Sequence, residues 1–409
     1  MPRRDETAEL PLDAVGVFPE DWECSTLGKA CSLVTDGTHD SPKESAAGFP
    51  LVTGKCITGG RVNLREAYLI SEADLRAVIA RSRAEFGDIL FANIGNSIGE
   101  LARVETDAEF SIKNVALFKP SERVESRFLK YYLLSPSVQS FIRNTTFGSA
   151  QPFIGLGTLR AFPIPLPDID EQKFIGKVLG SLDDKIELNR RMNETLEALA
   201  QSLFKSWFVD ATQSALPKGW RETTLEDAIV IHDSKRIPLS SRERAVRRGK
   251  YPYHGAASVM DYVDDFLFDG VYTLIGEDGS VVNDDDTPIL QYVWGKFWVN
   301  NHAHVLTGKN GVSVEHLLFF LKTVNIRPFV TGAVQPKLNQ GNLCRVPFVL
   351  PPESVCKEFA GIIEPMFVRI RANIEESRTL AALRDTLLPK LLSGELRVTA
   401  APQRREAFR

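Results

Sequence analysis

Long apolar runs are missing from this chain. No stretch of its 409 residues approaches eighteen consecutive uncharged apolar positions, which excludes a membrane-spanning helix. Cysteine is scarce and odd in number. Cys24, Cys31, Cys56, Cys344 and Cys356 form no Cys-x-x-Cys pair, which argues against a disulfide framework or a structural zinc site. Charge of one sign is lacking too: 49 Lys and Arg face 53 Asp and Glu, a net of −4. The chain as a whole therefore does not attract nucleic acid, and any such contact must come from local basic patches or a basic partner. The opening MPRRDETAEL has basic residues but no apolar core behind them, so no secretory signal is expected and the cytoplasm is the expected compartment.

Catalytic signatures are also wanting. GFPLVTGKC (48–56) approximates a phosphate loop, but it has five residues between its glycines and Cys56 where a magnesium-binding Ser or Thr belongs. GLGTLR (155–160) lacks the third glycine of a dinucleotide site. PDIDEQK (167–173) holds Pro-Asp and Glu-x-Lys fragments of a nuclease, yet they abut at one helix start, where capping explains them. No Asn-Pro-Pro-aromatic motif occurs. His302 and His304 alternate as metal ligands on a strand would, with no third ligand evident from the sequence. The pattern argues for binding without catalysis.

What the chain does have is a copy of itself. FPEDWECSTLGKA (18–30) aligns with LPKGWRETTLEDA (216–228) at an offset of 198, FLKYYL (128–133) with HLLFFL (316–321) at 188, and FGSAQP (147–152) with TGAVQP (331–336) at 184. LRAFPIPLP (159–167) falls on LCRVPFVLP (343–351) at the same 184. The offset shrinks along the copy, as loop deletions require. Both copies close with a Pro-bounded segment of helical pattern, 168–210 and 352–396.

In the first of these segments, apolar residues or Asn recur at 175, 179, 182, 186, 189, 193, 196, 200 and 203, alternating by four and three as in a coiled-coil seam. Leu182, Ile186, Asn189, Leu196 and Leu203 align with Met366, Ile370, Asn373, Leu380 and Leu387. About 40 residues make a rod of roughly 60 Å. One such rod would leave its stripe in water, whereas two bury each other, and the intervening domain permits an antiparallel pair. Asp168 and Asp170 are expected caps of the first helix and Ser354 of the second, and Gly176 and Gly180 are expected only to weaken the first turns. Asn189 and Asn373 have two readings: buried residues that fix register, or residues at the seam's wet edge. The flanks, with Phe204, Trp207 and Phe208, are expected to dock a partner.

The fold class expected is therefore α+β: two mixed globular domains, 18–167 and 211–351, separated by two long helices in an antiparallel coiled coil, with tails at 1–17 and 397–409. Short β-rich runs such as DILFANI and VYTLI sit between Gly, Asp and Asn turns. VESRFLKYYLLSPSVQSFI (124–142) predicts one helix packed on the first sheet, with VSVEHLLFFLKT (312–323) as its counterpart.

The PxxW…TL openings (Pro19, Trp22, Thr26, Leu27; Pro217, Trp220, Thr224, Leu225), the PIPLPDIDEQKFI helix entry and the run LNRRMNETLEALAQSLFKSWFVD carry a resemblance. With YPYHGAASVMDYVDDFLFDG, LIGEDGS and WVNNHAHVL, they resemble the specificity (S) subunits of type I restriction-modification systems, the HsdS family, over nearly all of 18–398. The resemblance implies that each domain is a target recognition domain reading half of a bipartite, asymmetric double-stranded DNA site. It further implies that the helices set the spacing and dock two modification (methyltransferase) subunits, which restriction/translocase subunits can join. S-adenosylmethionine, ATP and Mg are then expected on those partners and none in this chain. A scaffold of such a complex that does not read bases is the competing expectation.

Candidate DNA-binding residues follow from chemistry. In TDGTHDSPK (35–43), Thr35, Asp36, Thr38, His39 and Ser41 can meet base edges, with Lys43 and Lys55 at phosphates; an ordinary Asx turn is the plainer reading. Asn96 in GNSIG and Ser149 and Gln151 in TTFGSAQP lie in polar loops. Gln151 and its copy Gln335 suit adenine or simply mark a shared loop. SKRIPLSSRERAVRRGK (234–250) carries Lys235, Arg236, Arg242, Arg244, Arg247, Arg248 and Lys250 against Glu243, a local +6 that reads either as a solvated face or as a DNA footprint. His254 follows in a loop that could enter a groove. Lys337 and Asn339 complete the set, and Glu277 or Asp278 can accept from a cytosine amine.

Overall fold

The computed structural model describes residues 15–146, 153–332 and 334–397. It comprises two compact units, residues 1–188 with 376–409 and residues 189–375, and both divisions fall inside long helices. No helix among the described residues is long and apolar enough to cross a membrane.

In the first unit, an antiparallel sheet orders Cys31–Asp36, Ala116–Pro120, Ile89–Phe91 and Leu101–Arg103, and a second sheet orders Tyr68–Ile70, Phe49–Val52 and Ser111–Ile112. The single helix expected over 124–142 is two, Ser126–Leu134 and Pro136–Thr146. Pro136 forces the residue before it out of the helical region, and Ser135 sits at φ −59°, ψ 145°. Phe128, Leu129 and Tyr132 of the first helix are buried with Phe91, Phe118 and Ile89 of the sheet.

The second unit carries a six-stranded sheet: Ile229–Ile231, Ala303–Gly308, Phe268–Gly276, Leu290–Val299, Arg248–His254 and Val259–Val263. The pair Leu290–Val299 and Arg248–His254 is parallel and the others antiparallel. The sheets of the two units thus differ in strand number and order.

The frame around them repeats. Glu23–Thr26 pairs antiparallel with Pro163–Leu166, and Arg221–Thr224 with Pro347–Leu350; the register Glu23↔Leu166 maps onto Arg221↔Leu350 at the offsets of 198 and 184. The Leu27 amide donates to the Phe162 carbonyl at 2.9 Å, and its equivalent Leu225 to Val346 at 2.8 Å. Trp22 and Trp220 donate to Pro19 and Pro217, both at 3.1 Å. The helices Ser126–Leu134 and Val314–Leu321 begin at equivalent positions, capped by the Glu125 and Ser313 side chains.

Both long segments are helical, Ile169–Phe204 and Glu353–Leu392. Asp168 caps the first, its Oδ1 accepting from the Asp170 and Glu171 amides at 3.0 and 2.8 Å, while Asp170 lies within the first turn. Ser354 is not the cap of the second: it is already helical, and Pro352 occupies the start, its carbonyl accepting from Val355 and Cys356. Gly176 does more than loosen a turn. A Cβ there would stand 2.5 Å from Glu125 Oε2 and 3.1 Å from the Phe128 amide nitrogen, and one on Gly180 would strike the Arg127 guanidinium. The glycines let the long helix lie close against the 126–134 helix.

The helix segments pair antiparallel within each unit. In the first, Ile175 and Leu179 are buried with Leu388, Leu391 and Leu392, with Leu387 packed on them, and Asp183 meets Arg384 at 2.7 Å. In the second, Asn189 and Asn373 are fully buried, so the wet-edge reading falls. The Asn189 amide reaches the Asn373 carbonyl at 3.4 Å, and the Asn373 amide donates to Asn193 Oδ1 at 2.8 Å. Leu182, Ile186 and Leu380 are half-buried, as are Leu196, Leu203 and Met366, which pack on the second unit's aromatic cluster beside buried Ile370.

Phe204 and Phe208 do not form an open docking flank. They are 3% and 8% exposed, covered by Phe319, Phe359 and His316, because a π-helical turn at Lys205–Val209 rotates the stripe onto the 314–321 helix. Trp207 is half-buried in the same cluster.

His316 sits among these rings, and burial holds its imidazole neutral down to about pH 3, against an ordinary 6.5. The unfolded chain takes up that proton near 6.5, so stability falls as pH drops through the window between the two values. His316→Phe should lessen the acid sensitivity of unfolding by about 1.4 kcal/mol per pH unit between roughly pH 6 and pH 5, measured by urea unfolding. An unchanged slope contradicts the burial account. Gly176→Val should destabilise the first unit by about 1–3 kcal/mol in the same measurement, by forcing the two helices apart.

Candidate nucleic-acid interface

In the first unit the turn after Cys31–Asp36 is held from beneath. Asp36 is buried and takes Arg81 at 2.9 Å and His39 at 3.1 Å, while Arg81 also donates to the Gly37 carbonyl at 2.8 Å. A Cβ on Gly37 would lie 2.0 Å from the Ile112 carbonyl, so only glycine permits this approach. Thr38 pairs with Lys113, whose amide donates to Val52, and Lys113 Nζ reaches Ser41 Oγ at 2.5 Å. Gly54, beside Lys55, abuts Ser97 of the GNSIG turn. The 36–41, 54–56 and 95–97 turns therefore follow one another along one edge. His39, Ser41, Lys43, Lys55 and Asn96 are exposed there and Thr38 is half-buried; Thr35 and Asp36 are buried and position the turn instead of contacting a ligand. Ser149 and Gln151 lie outside the described residues.

Sequence reasoning passed over Arg81, Lys113 and Asn114. Asn114 Oδ1 accepts from His39 Nδ1 at 2.9 Å, and Asn114 has φ 53°, a left-handed turn conformation that Asn tolerates, so the Lys-Asn break in a β-rich run was the available signal.

In the second unit three of the seven cations of the basic run are engaged by carboxylates outside it. Arg236 bonds Glu277 at 2.8 Å and Asp233 at 3.2 Å; Arg244 meets Asp261 at 3.2 Å over the Tyr253 ring; Arg247 meets Asp264 at 2.9 Å over Trp298. These three arginines are engaged inside the fold, and the local +6 overstates the footprint. Lys235, Arg242, Arg248 and Lys250 remain exposed, Lys250 with its ammonium over Tyr251.

His254 does not enter a groove either. It is buried, burial lowers its affinity for a proton, and its Nδ1 faces Gln291 Oε1 at 2.9 Å. Gln291 donates in turn to the Gly255 and Ala256 carbonyls at 2.9 and 3.3 Å, which fixes the 255–258 turn. That turn, the GEDGS turn, His302 and exposed Gln335 enclose a cleft of about 330 Å³. Lys337 is half-exposed, 3.6 Å from Glu277, and Asn339 caps the 340–344 helix through the Asn342 amide at 2.8 Å.

The two strand histidines part. His302 faces the cleft; His304 is fully buried, and its ligating atom lies within 4.8 Å of those of Asp233 and Glu277. Both His304 nitrogens face acceptors, Asp233 Oδ2 at 2.6 Å and the Leu338 carbonyl at 2.7 Å, and Arg236 bridges the two carboxylates. Burial pushes the Asp233 carboxyl up, but the His304 hydrogen bond and charge outweigh it and hold it below the ordinary value. A third carboxylate-type partner thus exists where none was expected, yet the charge is already balanced and a metal cation does not fit.

Two stretches of the chain, 19–198 and 217–378, match the model of one protein family, described as type I restriction modification DNA specificity domain. The type I restriction enzyme MjaIX specificity subunit of Methanocaldococcus jannaschii is 24% identical over 94% of this chain and 95% of its own length. A specificity subunit of Haemophilus influenzae, S.HindORF215P, is 34% identical over 35% of this chain and 36% of its own. The crystal structure of a type I restriction-modification S subunit from M. genitalium shares the fold, with a TM-score of 0.63 at 18% identity over 94% of this chain and 98% of that one.

Replacing Lys235, Arg242, Arg248 and Lys250 together by Gln should flatten the dependence of log K on log salt for DNA by about 1 for each phosphate no longer neutralised, read by anisotropy across a salt series. Arg244→Gln should instead destabilise the second unit and leave that slope alone. An unchanged slope in the fourfold variant removes the run from the interface.

Proposed function

Because the chain belongs to the family of type I restriction modification DNA specificity domains, matched twice along its length, we propose that it is the DNA-specificity subunit of a type I restriction-modification complex. Each unit reads one half of a bipartite DNA site. The subunit performs no chemistry itself. S-adenosylmethionine is bound by two modification subunits, and ATP and Mg by restriction subunits that join them; the long helices dock the modification subunits and set the spacing of the half-sites.

One observation carries this reading: an identical strand register, Glu23↔Leu166 and Arg221↔Leu350, frames sheets that differ between the units in strand number and order. A repeated frame with unlike inserts suits a quasi-symmetric reader of an asymmetric target, as protein symmetry mirrors site symmetry elsewhere. In the first unit, Thr38, His39, Ser41, Lys43, Lys55 and Asn96 supply the contacts, together with Ser149 and Gln151 of the TTFGSAQP stretch. In the second, Lys235, Arg242, Arg248 and Lys250 hold phosphates, and the cleft with Gln335 meets bases.

Exchanging residues 19–165 for the corresponding domain of another family member tests the assignment. The assembled complex should then recognise a site altered in one half and unchanged in the other, mapped from the modified positions in cellular DNA. Alteration of both halves, or of neither, contradicts it.

A further inference from the structure

The cleft of the second unit is lined on one side by Asp278 and His302. Glu277 and Asp278 succeed one another at the end of the Phe268–Gly276 strand and face opposite ways. Glu277 turns inward to Arg236 and the His304 network, and Asp278 lines the cleft. His302 Nδ1 meets Asp278 Oδ1. The surrounding backbone is tied across loops: Glu277 donates to His302 at 2.8 Å, Leu338 to Glu277 at 2.8 Å, and Gly279 to Pro336 at 3.1 Å. The opposite wall, Gly255–Ser258, is closed by its own 2.9 Å turn bond and by Gln291. Side chains at the cleft are thereby held before any ligand arrives.

We infer that Asp278 and His302 form an acceptor pair that admits an amino-bearing base, adenine or cytosine, and rejects a keto-bearing base, guanine or thymine, at one position of the second half-site. The inference rests on the DNA reading proposed above. In the neutral tautomer whose Nδ1–H donates to Asp278, the His302 Nε2 keeps its lone pair, and both groups then offer acceptors. In the major groove adenine N6 and cytosine N4 donate, whereas guanine O6 and thymine O4 accept. An acceptor facing an acceptor leaves two desolvated lone pairs opposed, which excludes the keto bases by repulsion as much as it favours the amino bases. Gln335, exposed on the rim, has both a donor and an acceptor and can add N7 recognition beside the amine. Glu277, Arg236 and Gln291 act through these groups as positioning residues.

The test uses the full chain in its assembled complex and competitive binding to duplexes in which each base pair of the second half-site is exchanged, amino for keto, on each strand. Wild type should discriminate by about tenfold or more at one pair. Asp278→Asn, which places an amide donor where an acceptor stood, should reduce that ratio below about threefold or invert it. His302→Ala should reduce it without inversion, and Gln335→Ala, at an exposed position, should weaken adenine relative to cytosine. Discrimination at all other pairs, including the whole first half-site, should persist, which also reports a folded chain. Variants that still bind the wild-type split site with unaltered ratios overturn this assignment alone, as does a loss that is uniform across sequences. A wild-type complex without any sequence preference overturns the DNA reading and this inference together.

Discussion

Two helices of 36 and 40 residues, each with an apolar stripe, cannot stand singly in water, and their mutual burial is the constraint on which the rest depends. Each unit takes a segment from both copies' helices and pairs the two antiparallel, so neither compact unit draws its helical frame from one copy alone. The pairing has a fixed register. Leucine seams slide at little cost, but the Asn373 side-chain amide finds the Asn193 side-chain oxygen, and the Asn189 amide the Asn373 main-chain carbonyl, at one alignment of the two helices. With Asn373 only 1% exposed, a slip would part its buried amide from the Asn193 acceptor.

A fixed frame leaves the readers free to differ. The strand pair closing each copy and the Trp-led opening turn keep their hydrogen bonds at matching positions, while the sheets between them diverge to four and three strands in one unit and six in the other. The loops are stiffened by ionic groups built on a buried carboxylate: Asp36 with the exposed Arg81 in the first unit, and Asp233 with Arg236, Glu277 and His304 in the second. Removing one member of such a group leaves an uncompensated charge, so the group's role is to hold loop shape more than to add net stability. Charge that a composition count assigns to DNA is, in Arg236, Arg244 and Arg247, internal scaffolding.

The parts legible in the sequence were those governed by period and repetition. The shrinking offset located both helices and aligned the segments that form the two strand pairs without announcing them as strands, and the recurrence of Asn at one seam position marked the register. What escaped depended on contacts distant in sequence. Gly176 reads as a weak helix residue until the 126–134 helix is seen lying on it. Phe204 and Phe208 continue the apolar stripe, and nothing local announces the π-helical turn that turns them onto the second unit's 314–321 helix. Pro136 did announce the break at Ser135, and the strong apolar pattern on either side overrode it. His254 and the three engaged arginines look like surface groups because their burial and ion pairing come from partners outside the basic run. In the candidate site, the polar turns were recognised as turns, but which of their side chains face outward was not encoded locally: Thr35 and Asp36 face in, and His39 and Ser41 face out.

A hydroxyl-radical footprint of the assembled complex on DNA carrying its target measures the central claim most directly. Two copies of one reader frame predict two protected segments of unrelated sequence, separated by a gap whose length matters and whose sequence does not. A single continuous footprint, or protection that persists when the gap is lengthened by several base pairs, would contradict it.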